Sequence, residues 1–259
     1  MDLGLQGRRA LVMGSSRGLG YSVAAALAAE GTGVFLNARG SEELEKRAAH
    51  LGAAGFHAAS VEDPDAGEQT VAAAVAALGG LDILVTNTGA PTHGGFADVD
   101  QDAWEHASHL TLMSVVRLVR AALPHLRASD QARIIMITSV GVREPIPDEV
   151  LHNAFQAAVT ATAKALVREV AGDGITVNTV QSGYIRTERN EAIHRAEAQR
   201  SGRSFDDVTA SAAAFLPMKR LGNALGEFGP LCTFLCSRQA GYVTGQSIAI
   251  DGGLLHSLL

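Results

Sequence analysis

Arg9-Ala10-Leu11-Val12-Met13-Gly14-Ser15-Ser16-Arg17-Gly18-Leu19-Gly20-Tyr21-Ser22-Val23-Ala24-Ala25-Ala26-Leu27 runs a short apolar β-type segment through a glycine-punctuated turn into an alanine-rich helix. Outward from it the same alternation repeats. β-type runs fall at residues 9–13, 33–37, 55–59, 81–86, 132–138, 174–180 and 246–250, and helical patterns at 18–30, 41–51, 64–78, 100–127, 148–171 and 225–236. Seven strands alternating with helices over the whole chain predict an α/β fold with a parallel sheet covered on both faces. The exception is residues 184–217, where polar helical pieces at 188–200 and 205–214 replace any strand signal. An excursion of that length within one domain reads as a lid over a site.

Composition agrees with a globular chain. Of 259 residues 47% are hydrophobic and 19% charged, which leaves ample apolar surface for a core. Twenty-one Lys and Arg against 27 Asp and Glu give a net charge of −6, and no basic run interrupts the chain, so nucleic acid and anionic membrane are excluded as main partners. No stretch approaches the roughly 18 apolar residues of a membrane span, and no secretory leader pattern opens the chain, so a cytoplasmic location is expected. Cys232 and Cys236, four apart on a helical pattern, are too few for a disulfide framework or a four-ligand zinc site and read as core thiols; no metal site is expected.

Glycines at the first strand-to-helix turn let backbone amides approach a pyrophosphate, whose charge the positive end of the helix stabilises. The spacing is G-x-x-x-G-x-G, and such a turn alone also serves merely to reverse the chain. Its place in the first β-α-β unit strengthens the nucleotide reading. The second strand ends at Asn37-Ala38-Arg39, the end that reads the adenosine ribose. No carboxylate stands there for a 2′-hydroxyl, whereas Arg39 and Arg17 offer positive charge for a 2′-phosphate, so NADP(H) is expected over NAD(H).

The glycine turn, Thr86-Asn87-Thr88-Gly89 after the fourth strand, Asn178-Thr179-Val180-Gln181-Ser182-Gly183 after the sixth, and Thr244-Gly245-Gln246 through Asp251-Gly252-Gly253 together resemble the short-chain dehydrogenase/reductase family. The 3-oxoacyl-acyl-carrier-protein reductase branch is the most similar. The resemblance implies a single Rossmann-type doubly wound domain over residues 1–259 with strand order 3-2-1-4-5-6-7, a nicotinamide cofactor and usually a homotetramer. It assigns Gly14, Ser16, Arg17, Gly18, Leu19 and Gly20 to the cofactor phosphates and adenosine, with Asn37, Arg39 and Val61 at the adenosine end. Asn87, Thr88 and Gly89 then line the ribose and the sheet floor, and Gly183, Ile185 and Thr187 meet the nicotinamide carboxamide. Ser182 stands where the family has Pro, Thr88 where it has Ala, and Ser60 where it has Asp.

The same resemblance implies a Ser that binds the carbonyl oxygen, a Tyr that donates the proton, a Lys four residues on, and an Asn that anchors a relay water. Ser139 fits the first role. Thirteen positions on stands His152, four beyond it Gln156, and Thr111 occupies the Asn position, so three of the four differ. A spacing of four keeps His152 and Gln156 on one helix face, roughly 6 Å apart. His152 is the local group able to donate a proton near neutral pH, while Gln156 retains only hydrogen bonding, here to a ribose hydroxyl. Asp148 and Glu149, one turn earlier, either favour the imidazolium or offset the helix dipole. The expected function is NADP(H)-dependent reduction of a carbonyl, a 3-oxoacyl thioester or related ketone, or oxidation of the matching alcohol. The alternatives are a catalytically weak or silent nucleotide-binding homologue and a non-redox use of the fold.

Substrate choice is expected to rest on residues 143–150 and the 184–217 excursion. The last six residues, Leu254-Leu255-His256-Ser257-Leu258-Leu259, carry four leucines, which predicts burial of the tail against another subunit.

Overall fold

A computed structural model describes residues 1–258, the side chain of Arg189 excepted. Its strands and helices follow in the order β1 (Arg9–Val12), α1 (Gly18–Ala29), β2 (Gly33–Ala38), α2 (Ser41–Leu51), β3 (Gly55–Ala58), α3 (Ala66–Leu78), β4 (Ile83–Thr86), α4 (Gln101–Ala107), α5 (Ser114–Arg127), β5 (Arg133–Ser139) and α6 (Val150–Val170). Then come β6 (Thr176–Ser182), β7 (Ile185–Arg186), α7 (Glu188–Ser201), α8 (Phe205–Ala213), β8 (Gly222–Asn223), α9 (Gly229–Cys236) and β9 (Ser247–Ile250). Seven strands form one parallel sheet in the order β3-β2-β1-β4-β5-β6-β9, the expected topology with β9 as its seventh strand.

Period-2 alternation distributes the strand side chains between two cores. Ala10, Val12, Ile83, Val85, Ile135 and Ile137 point to the face covered by α1, α2 and α9, where Cys232 and Cys236 are buried as free thiols. Leu11, Leu84, Ile134 and Met136 point to the face covered by α3, α5 and α6. α1 lies close against β1: a Cβ on Gly20 would stand 2.3 Å from the Gly14 carbonyl oxygen, so only glycine allows this helix to start so near the sheet.

Three local departures from the predicted elements matter to the site. The helix expected over 100–127 is interrupted by a π-turn at Ser108–Met113, where the Ser114 hydroxyl donates back to the Leu110 carbonyl at 2.6 Å. The helix expected from residue 148 starts at Val150, because Asp148 has φ +57°, a left-handed conformation incompatible with a helical turn. Finally β7 pairs in parallel with β8, Ile185 opposite Gly222 and Arg186 opposite Asn223, which closes the neck of the 184–217 excursion. Leu254 and Leu255 are half-buried, Leu258 is fully exposed, and Glu144 Oε1 accepts the backbone N–H groups of His256 and Ser257 at 2.6 and 3.0 Å. Leu259 lies outside the described residues. No helix among the described residues is long and apolar enough to cross a membrane.

Candidate active site

The carboxyl ends of the strands open onto a cleft of about 1150 Å³. At one end the glycine turn is tied to the tip of β2. Ser15 N–H donates to the Asn37 carbonyl at 2.9 Å, and the buried Ser15 hydroxyl donates to Val12 O at 2.8 Å while accepting from Asn37 N–H at 3.1 Å. The Asn37 amide donates to His57 O at 2.8 Å across β3, and the Asn87 amide reaches Gly14 O at 3.3 Å. Gly14, Ser16, Arg17, Gly18, Leu19, Asn37, Arg39, Val61, Asn87, Thr88, Gly89, Gly183, Ile185 and Thr187 all line the cleft. Gly20 does not; its role is the helix-to-strand approach described above. Arg17 and Arg39 are exposed and form no ion pair among the described residues.

The middle of the cleft holds Ser139 and His152. Ser139 ends β5, and its Oγ accepts the Gly141 N–H at 3.1 Å, which leaves the hydroxyl proton available to an oxygen in the cleft. Asn153, next to His152, clasps the preceding loop by accepting from Ile146 N–H at 3.2 Å and donating to Ile146 O at 2.8 Å. Gln156 and Thr111 are not on the cleft wall. Both are buried, the first on α6 and the second in the π-turn that packs against it, and Gln156 Oε1 and Thr111 Oγ1 find no hydrogen-bond partner among the described residues. The ribose contact expected of Gln156 therefore finds no support in its position: an amide is shorter than the lysine of the family pattern, and this one stays in the interior.

Three further groups line the cleft: Glu149 and Tyr184, from the two segments expected to set substrate choice, and His93, which the sequence reading did not single out. Glu149 lines the cleft at the N-cap of α6, where its side chain makes no capping hydrogen bond. His93 Nδ1 stands 3.5 Å from Glu149 Oε1. Tyr184 is 38% exposed, and its phenol pKa is raised by partial burial and further by the negative charge of Glu149. Tyr184 packs edge-on against Phe215 from the excursion, ring centres 4.9 Å apart. On the glycine-turn side Glu188, the first residue of α7, accepts the Gly18 N–H at 2.9 Å, and Arg47 lies 3.8 Å from its other oxygen. No local signal betrays this contact, which joins residues 170 positions apart.

Comparison with known proteins agrees with this architecture. A family model described as enoyl-(acyl carrier protein) reductase matches residues 14–255. Oxidoreductase UcpA of Salmonella typhimurium is 34% identical over 254 residues, covering 96% of this chain and 95% of that protein. The crystal structure of L-sorbose reductase from Gluconobacter frateurii, complexed with NADPH and L-sorbose, superposes with a TM-score of 0.96 at 31% identity over all of both chains. An NADPH-bound short-chain oxidoreductase from Pseudomonas aeruginosa PAO1, described as containing an atypical catalytic center, superposes with a TM-score of 0.88 at 29% identity, covering 96% of this chain and 97% of that one. With the parallel sheet in the expected order, the glycine turn at the mouth of its cleft and a family match over nearly the whole length, the chain belongs to the short-chain dehydrogenase/reductase family.

Proposed function

We propose that the protein is an NADP(H)-dependent oxidoreductase that reduces a carbonyl, a 3-oxoacyl thioester or related ketone, or oxidises the matching alcohol. The observation that carries this reading is the continuous cleft joining the glycine turn, with Arg17 and Arg39, to Ser139 and His152. The residues present fit the dinucleotide. Gly18 N–H at the start of α1 already holds a carboxylate oxygen and would hold a phosphate oxygen in the same way, and the two unpaired guanidiniums offer charge to a 2′-phosphate. NADPH, when bound, supplies the hydride. Ser139 donates a hydrogen bond to the carbonyl oxygen, and His152 delivers the proton as oxygen gains charge. The Asn153 bonds to Ile146 fix the loop that precedes His152. The 184–217 excursion acts as the lid, a homotetramer is the expected assembly, and the cytoplasm the expected location.

A weak or silent nucleotide-binding role is favoured by one observation: Gln156, at the position of the family's lysine, is buried and lies off the cleft wall. NADPH titration by fluorescence, followed by oxidation assays with ketones and 3-oxoacyl thioesters, separates the two. Turnover in the wild type that falls about 10²–10⁴-fold in His152→Ala supports the imidazole acid. Tight NADPH binding with turnover only in His152→Tyr/Gln156→Lys supports the silent binder.

A further inference from the structure

The far end of the cleft carries a device that the carbonyl-reductase reading does not use, and it names the substrate class of that same site. Glu149 lines the cleft directly after a residue held at positive φ, in a segment tied to the loop after β4. Gly94 N–H donates to Asp148 O at 2.7 Å and Val150 N–H donates to Gly94 O at 3.2 Å, so the loop after β4 and the entry to α6 form a short parallel bridge. Both partners are unusual. Asp148 adopts φ +57°, and Gly94 adopts φ +157°, where a Cβ would also meet Val99 Cγ1 at 3.0 Å. A non-glycine residue in the left-handed region persists only when its surroundings over-determine it, and such residues concentrate at functional sites.

The groups gathered around Glu149 then specify a chemistry. Its carboxylate is an acceptor only and is 24% exposed. His93 stands 3.5 Å away, the Tyr184 phenol lies within its electrostatic reach, and His152 follows one helical turn on. Imidazole and phenol donate as well as accept, so the set matches a hydroxyl, which does both. An acyl chain or a plain ketone would complete the burial of Glu149 without replacing its water, and a site built to bond hydroxyls rejects analogues that lack them.

Building on the reductase reading, we propose that Glu149 is a specificity-determining residue and that the cleft takes a polyhydroxylated ketone of the ketose type, held through the hydroxyls beside its carbonyl.

The test compares wild type and Glu149→Gln, as full chains with NADPH, on D-fructose, L-sorbose, 2-hexanone, aminoacetone and an acetoacetyl thioester. A wild-type kcat/KM for a ketohexose about 100-fold above that for 2-hexanone, with the ratio falling at least about tenfold in Glu149→Gln through KM, supports the proposal. Preference for 2-hexanone, the thioester or the cationic aminoacetone overturns it, as does an equal loss on every substrate. A second readout needs no turnover: sorbitol titrated into the NADPH complex, followed by cofactor fluorescence. Saturable sorbitol binding that weakens about tenfold in Glu149→Gln supports the proposal, and absence of binding overturns it. NADPH binding without reduction of any carbonyl sinks the reductase reading alone, because the sorbitol titration judges Glu149 independently.

Discussion

Substituting Glu188 by Gln should tighten NADPH binding, because the carboxylate holds the donor that a phosphate needs. Gly18 N–H, at the positive end of α1, donates to Glu188 Oε2 at 2.9 Å. A phosphate oxygen that claims this N–H must displace the carboxylate and then tolerate its charge nearby. A hydrogen bond to a charged group contributes about 1.5–3 kcal/mol. The Glu188 side chain is 52% exposed, so water recovers much of that on release, and Arg47 at 3.8 Å offsets part of the repulsion. About 1 kcal/mol remains, which makes the Kd of Glu188→Gln about fivefold lower than that of the wild type. Fluorescence titration of NADPH at about 20 mM and about 300 mM salt measures it, and the difference should shrink at the higher concentration, where exposed charges are screened. An unchanged or weaker Kd in the variant would refute the reasoning, since it would mean that the phosphates and Glu188 do not share Gly18.

Arg39→Ala should weaken NADPH by about tenfold while leaving NADH within about twofold, read from paired titrations, because only the former carries the 2′-phosphate. Asp82→Asn should cost about 3 kcal/mol in chemical denaturation: the buried Asp82 carboxylate accepts from Arg9 N–H, Nε and Nη2 and from the Ser129 hydroxyl at 2.6–2.9 Å. Those bonds outweigh burial and hold the Asp82 pKa below its ordinary 3.8, so its contribution is complete above that value and disappears as pH falls through the lowered one; the variant should lose this acid dependence. Both thiols should resist a disulfide reagent in the native state and react on unfolding. Burial pushes Cys236 up to about 12 and Cys232 well above its usual range, which leaves almost no thiolate at neutral pH.

The doubly wound architecture was legible because each strand and helix has its own local period, and because glycine at position 20 reports a contact that no other residue permits. The cleft followed from topology, so the residues at the strand ends could be placed before any coordinate was known. What escaped depends on backbone conformation or on distant pairing. Asp148 looks like an ordinary first-turn carboxylate, yet its positive φ places it before the helix, with Glu149 at the N-cap on the cleft wall. Spacing placed Gln156 one turn from His152, but a shift of four residues on a helix also changes depth, and Gln156 ends in the interior. The π-turn around Thr111 and the two-residue pairing of β7 with β8 leave no periodic trace, since each involves too few residues to show one.

The β7–β8 pairing has a consequence for how the fold diversifies. Because the chain leaves and re-enters at adjacent points, the segment between Arg186 and Gly222 behaves as a cassette whose length and composition can change without altering the spacing of the central strands. Chain-closure cost rises only slowly with loop size, so insertions there are thermodynamically cheap. Selection can therefore remodel the cleft wall beyond Thr187 and Glu188 while the glycine turn and the strand ends stay as they are.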